Sequence, residues 1–115
     1  MLKVIGTRIH LTRGDTAELD INVKDLEGKP YDCHGDKAYF RVKRYDDDAE
    51  VLLTKELEEN EEHGFTLYLE EEDTMDFEFG RHRYEIELVT SSGRHYTLIE
   101  KGMLKIGTEL ESHDV

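Results

Sequence analysis

An all-β sandwich is the fold this sequence predicts, and three observations predict it. Apolar residues recur with a period of two in four separate runs. Clusters of turn-forming residues separate those runs. Only one stretch, Glu71 to Gly80, admits a helix, and a short one. The 115 residues amount to a single domain, and a hydrophobic content of 37% supports one modest core spread over repeating positions.

The first strand ends near Thr12, where Arg13-Gly14-Asp15-Thr16 makes a corner. Gly14 supplies the permissive backbone the corner needs. Asp15 and Thr16 are expected to accept hydrogen bonds from nearby backbone N–H groups as the next strand begins. Arg13-Gly14-Asp15 is also the tripeptide read by cell-adhesion receptors. The turn is the expected role; the receptor reading requires that Asp15→Glu abolish cell attachment.

Ala17, Leu19, Ile21 and Val23 alternate with Glu18, Asp20, Asn22 and Lys24, the pattern of a half-buried strand. Asp25 to Pro30 then turns the chain, because proline cannot donate within a central strand. Cys33 is the only cysteine. It reads as a small half-buried side chain near a strand start, and it excludes both an internal disulfide and a cysteine-based zinc site. Ala38, Phe40 and Val42 form the inward side of the third strand, with Tyr39, Arg41 and Lys43 on the other side. Asp46-Asp47-Asp48 leads into a shorter strand over Val51 to Leu53, and Asn60 to Gly64 makes the next turn.

Phe65, Leu67 and Leu69 carry the following strand. One helical turn near residues 71–77 crosses between sheets, and Gly80 leads into the strand of Tyr84, Ile86 and Leu88. Tyr84 has two readings: a tyrosine corner, bonded back to the crossing, or a plain core aromatic. A three-residue hairpin loop, Ser91-Ser92-Gly93, with Gly93 left-handed, puts Thr90 opposite Arg94, Leu88 opposite Tyr96 and Ile86 opposite Leu98. A strand over Gly102 to Ile106 completes seven to eight strands. The domain is expected to span 1–108, with 109–115 a short frayed tail.

The formal charge is −13. Such a surface repels phosphate backbones and anionic membranes, so neither nucleic acid nor membrane is an expected partner. The excess is local: residues 46–62 hold nine acids and one base, and 70–78 hold six acids and no base. Their expected role is solvation, with a basic partner, a second copy's Lys/Arg face among them, or a cation as alternatives. No run approaches the roughly 20 apolar residues of a membrane span, and the start lacks the apolar region of a secretory signal.

No catalytic constellation emerges, and the expectation is a non-enzyme without cofactor or metal. Ser91 and Ser92 lie in a hairpin loop and Ser112 in the tail, none suited to a triad. Six scattered histidines are expected to be ordinary surface residues rather than the converging ligands of a zinc site. Ala49 and Glu50 after the three aspartates break the EF-hand pattern.

The second half carries the most specific pattern. It runs Gly64-Phe65-Thr66-Leu67, Glu72-Asp73-Thr74, Phe77-x-x-Gly80-x-x-x-Tyr84-Glu85-Ile86-Glu87-Leu88, Gly93-Arg94-His95-Tyr96-Thr97-Leu98, Gly102-x-Leu104-x-Ile106 and Glu109. With RGDTAELDINVKDLEGKPYD at the front, it resembles the small immunoglobulin-like β-sandwich domains of tailed-phage and prophage structural proteins. The nearest is the N-terminal domain of the baseplate upper protein family. The resemblance spans about Arg8 to Glu109 and implies an immunoglobulin-like antiparallel sandwich. It also implies a virion structural module, of baseplate, head or fibre, docking to other phage proteins or to copies of itself. It implies residence in a virion or in the cytoplasm of a lysogenic bacterium. That family continues into a fibrous region with a receptor-binding or adaptor end, which these 115 residues do not contain, so host attachment is not carried over. The alternative is a carbohydrate- or ligand-binding sandwich of a bacterial surface system. It would use Tyr39 and Tyr68, with Tyr31 and Tyr45, clustered on one outer face.

Overall fold

The computed structural model describes residues 2–3, 8–45, 50–60 and 64–107. Asp46-Asp47-Asp48 and the 109–115 tail lie outside the described residues, as do His63, His113 and Ser112. The strands, in chain order, are β1 (Leu2–Lys3), β2 (Arg8–Thr12), β3 (Ala17–Asn22), β4 (Lys24–Asp25), β5 (Lys37–Lys43), β6 (Leu53–Glu56), β7 (Glu58–Asn60), β8 (Gly64–Leu69), β9 (Gly80–Val89) and β10 (His95–Gly107). One helical turn, α1 (Glu71–Thr74), separates β8 from β9.

The strands form a β-sandwich. One sheet has the order β2-β10-β9-β5-β6 and the other β3-β8-β7, while β1 and β4 make a small ribbon. Four connections pass between the two larger sheets: β2 to β3, β3–β4 to β5, β6 to β7, and β8 to β9 through α1. With these crossings, neither sheet is one continuous meander, and the chain is shared between the two layers of the sandwich.

Period two decides which side chains meet in the middle. Phe40 and Val42 of β5, Ile86 and Leu88 of β9, and Leu104 and Ile106 of β10 are buried. Phe65, Leu67 and Leu69 of β8 are buried as well. Each fully buried side chain of this size contributes about 1.5–3 kcal/mol by leaving water.

Three details differ from the sequence expectation. The strands foreseen at the end are one strand, β10, whose register against β9 shifts between Thr97 and Ile99 and again between Ile99 and Gly102. The extra residue lets both Leu98 and Ile99 be buried, and it sets Ile86 opposite Ile99 instead of Leu98. Leu88 does face Tyr96, and the loop closes as expected, with the Thr90 N–H donating to the Arg94 carbonyl at 2.8 Å and Gly93 at φ 86°. Next, β2 pairs with β10 in parallel, Arg8 with Met103 through Thr12 with Gly107, so the sandwich is not wholly antiparallel. Finally, the short strand begins at Leu53, leaving Val51 and Leu52 exposed ahead of it.

Candidate docking surfaces

The corner after β2 is held by the crossing that carries α1. The Gly14 N–H donates to Thr74 Oγ1 at 3.0 Å, and the Arg13 N–H donates to the Gly107 carbonyl at 3.0 Å. Gly14 has φ 85°, a conformation that glycine adopts at little cost. Among the described residues, the side-chain acceptor here is Thr74, not Asp15 or Thr16 as the sequence suggested. The Arg13 guanidinium lies 4.1 Å from the centroid of the Phe79 ring, a cation–π contact. Asp15 is exposed.

Apolar side chains gather at this end of the sandwich. Tyr45 follows β5, Val51 and Leu52 precede β6, Met75 follows α1 beside Gly14, and Phe79 precedes β9; all five are exposed. Gly80, at φ 109°, opens β9.

The outer face of the five-stranded sheet divides into two halves by charge. Away from the corner, cross-strand partners are of opposite sign. Arg41 lies 3.9 Å from Glu85 and 3.5 Å from Glu87, and Lys37 lies 3.9 Å from Glu56. Toward the corner the partners are of like sign: Lys43 is directly opposite Arg83, and Arg81 is directly opposite Lys105. Like charges in register destabilise a sheet by about as much as opposite ones help, of order 0.2–1 kcal/mol each. The sequence reading missed this basic corner because Lys43, Arg81, Arg83 and Lys105 come from three strands, and only the register brings them together.

The outer face of the three-stranded sheet is acidic. Glu18 of β3 pairs with Tyr68 of β8, and Asp20 and Glu58 flank Thr66. Thr66 donates its hydroxyl to Asp20 at 2.8 Å. The Tyr68 hydroxyl titrates above its ordinary value, through desolvation first and then the charges of Glu18, Glu58 and Asp20.

The tyrosines of the ligand-binding alternative do not share a face. Tyr39 lies on β5 and Tyr68 on β8, in different sheets, and Tyr45 is at the corner end. Tyr31 instead borders a cleft of about 450 Å³ at the opposite end, with Asp36, Ser91, Arg94 and Tyr96. Its hydroxyl donates to Asp36 at 3.0 Å, and burial together with that bond pushes its pKa up to about 12. The other Asp36 oxygen accepts the Ser91 N–H at 2.9 Å.

Three buried groups matter to stability more than to docking. Cys33 is fully rather than half buried, and burial pushes its thiol up to about 12, leaving it protonated and unreactive. Tyr84 is buried against Phe40, ring centroids 5.2 Å apart. Its hydroxyl makes no hydrogen bond among the described residues, so Tyr84 is core aromatic rather than tyrosine corner. His82 is not the surface histidine expected: it is 1% exposed, stacked on Phe77 at 5.1 Å. Its parity with Tyr84, Ile86 and Leu88 carries that signal in the sequence. His34 and His95 lie on the surface, each 3.4 Å from a glutamate. Among the described residues no three metal-binding side chains converge, and no helix is long and apolar enough to cross a membrane.

A scan against protein-family models finds no match, and a search of curated proteins finds no relative.

Proposed function

We propose that this domain is a non-enzymatic structural module of a phage or prophage virion, of tail or baseplate type, that works by docking to other protein subunits. The observation that carries the docking reading is the like-charged cross-strand contact of Arg81 with Lys105, both exposed, beside an end of the sandwich lined by exposed apolar side chains. That contact costs stability inside the domain and gains an electrostatic return when an acidic surface covers it. The exposed apolar residues at the adjoining end supply the desolvated area that such a contact needs. The assignment to a virion rests on the resemblance of the turn motifs. Gly14 and Thr74, one from each half of that pattern, bond to each other, which accounts for the motif as a fold feature.

The test is particle composition. Virions purified from an induced lysogen carrying this gene are expected to contain the chain, cross-linked to a neighbouring subunit. Its absence from purified particles removes the virion assignment.

The cleft beside Tyr31 and Tyr96 supports a second reading, a polar ligand such as a saccharide. Titration with mono- and disaccharides followed by NMR checks it. That reading requires shifts centred on Tyr96 and lost in Tyr96→Ala. Loss of binding in Tyr39→Ala or Tyr68→Ala would return it to the faces first considered.

A further inference from the structure

Resting on the reading of the cleft beside Tyr31 and Tyr96 as a saccharide site, we infer that its ligand is a carboxylate-bearing saccharide, a uronic acid glycoside. The Arg94 guanidinium would take the carboxylate, and the sugar body would rest against Tyr96. Two loops build the walls: residues 31–36, on the connection from β4 to β5, and the β9–β10 hairpin. Asp36 ties them together, because one of its carboxylate oxygens accepts the Tyr31 hydroxyl at 3.0 Å and the other accepts the Ser91 N–H at 2.9 Å. The carbonyl of the buried Cys33 accepts the Asp36 N–H at 2.9 Å, which anchors the first loop to the core. In the hairpin, the backbone of Arg94 is clamped twice. Its N–H donates to Thr90 Oγ1 at 3.0 Å, and its carbonyl accepts the Thr90 N–H at 2.8 Å. Tyr96 lies two residues further on, so both side chains leave the chain on one side, and both border the cleft.

What this cleft lacks is an acceptor for Arg94. Both oxygens of Asp36 already take donors, and Asp32 Oδ1 takes the His34 N–H at 3.0 Å. The exposed Arg94 side chain meets no acceptor among the described residues, although Asp36 lines the same space. A guanidinium presents its N–H donors in a planar fork, which a carboxylate fills with two parallel bonds. Charge alone does not hold such a ligand here, since Asp32 and Asp36 border the cleft and the chain carries −13. The carboxylate therefore needs a body that makes contacts of its own. The half-buried Tyr96 ring offers an apolar surface to the C–H side of a pyranose, and the Tyr31 hydroxyl oxygen keeps a lone pair for a sugar hydroxyl. The volume of about 450 Å³ lies within the roughly 300–1,000 Å³ of small-molecule sites, far more than a bare carboxylate requires.

The test is an NMR titration of backbone and arginine side-chain signals at about 0.15 M salt, where a Debye length of about 8 Å screens the distant acids. The probes are methyl β-D-glucuronide, methyl α-D-galacturonide, the corresponding neutral glucoside and galactoside, and acetate, each to about 50 mM so that contacts weaker than about 1 mM are seen. At least one uronide is expected to shift Arg94 Nε–H, Ser92 and Tyr96, and to bind at least about tenfold more tightly than its neutral counterpart. Acetate is expected to shift none of them. Arg94→Gln keeps the backbone bonds and is expected to bring the uronide down to the level of the neutral sugar. Equal affinity for a uronide and its neutral counterpart overturns the inference and leaves the saccharide reading of the cleft standing. Silence with every sugar ends both. Acetate shifts equal to those of the uronide overturn the inference in favour of a simple anion contact. Uronide binding that is unchanged in Arg94→Gln overturns it as well, because the carboxylate is then held elsewhere.

Discussion

The Gly14 N–H and Thr74 Oγ1, sixty positions apart in sequence, form a 3.0 Å hydrogen bond that joins the β2–β3 corner to the β8–β9 crossing. Thr74 is fully buried, so the acceptor of this bond is shielded from water while its donor, Gly14, is partly exposed. The Arg13-Gly14-Asp15 triplet is thereby anchored from within, with its arginine over Phe79.

Thr74→Val keeps the shape of the side chain and deletes the acceptor. The part-buried Gly14 N–H is then left without its partner, at a cost of about 1–3 kcal/mol. Chemical denaturation should show a lower midpoint at unchanged slope. Gly14→Ala should cost a similar amount for a different reason: its left-handed φ, with the new Cβ 2.7 Å from Met75 Sδ. A Thr74→Val midpoint equal to wild type would mean the bond carries no stability.

Tyr84→Phe separates the two roles open to that residue. Without a hydrogen bond to lose, removal of the buried hydroxyl should change stability by less than about 0.5 kcal/mol or raise it slightly. A tyrosine corner would lose more than about 1 kcal/mol in the same denaturation experiment. Gly102→Ala should be far more damaging than either, because its Cβ would lie 2.5 Å from the Tyr84 ring within the core.

These residues also show where the sequence was legible. Inward positions such as Phe40, Leu67 and Leu88 follow from alternation alone, since a strand's side chains point to opposite faces in turn. The hairpin at Ser91-Ser92-Gly93 follows from turn chemistry. The bulges at Leu98 and before Gly102 did not, because two adjacent apolar residues break the period without showing which is extra. The basic corner was hidden for a stronger reason: charges on β5, β9 and β10 become neighbours only through long-range register. His82 was legible by parity and was overlooked because its side chain is polar.

Asp73 joins α1 to the edge strand β6. Its Oδ2 accepts the Glu70 N–H at 2.7 Å and lies 2.9 Å from Lys55 Nζ, with side-chain exposures of 11% and 26%. Asp73→Ala removes a helix cap and leaves a largely buried cation without its partner, at a cost of about 1–3 kcal/mol. Asp73→Asn preserves an acceptor for the cap and should recover part of that loss. A double-mutant cycle with Lys55→Met isolates the ion pair, which is expected to exceed the about 0.2–1 kcal/mol of exposed pairs. A coupling near zero would make Lys55 a bystander.

His82 gives the fold a pH dependence of predictable sign. Burial lowers its folded-state pKa below the ordinary 6.5, and the nearby Arg44 charge adds to this, partly offset by the Gly80 carbonyl and Glu78. The unfolded chain therefore binds this proton at a higher pH than the folded one. Stability is full above about pH 6.5 and is lost as the pH falls from there toward the folded pKa, levelling off below it. His82→Leu removes the titration, and Leu suits the stack on Phe77. Between pH 7.5 and 5.5 the melting temperature of the wild type should fall further than that of His82→Leu. Parallel slopes for the two proteins would show that this histidine does not set the acid sensitivity of the sandwich.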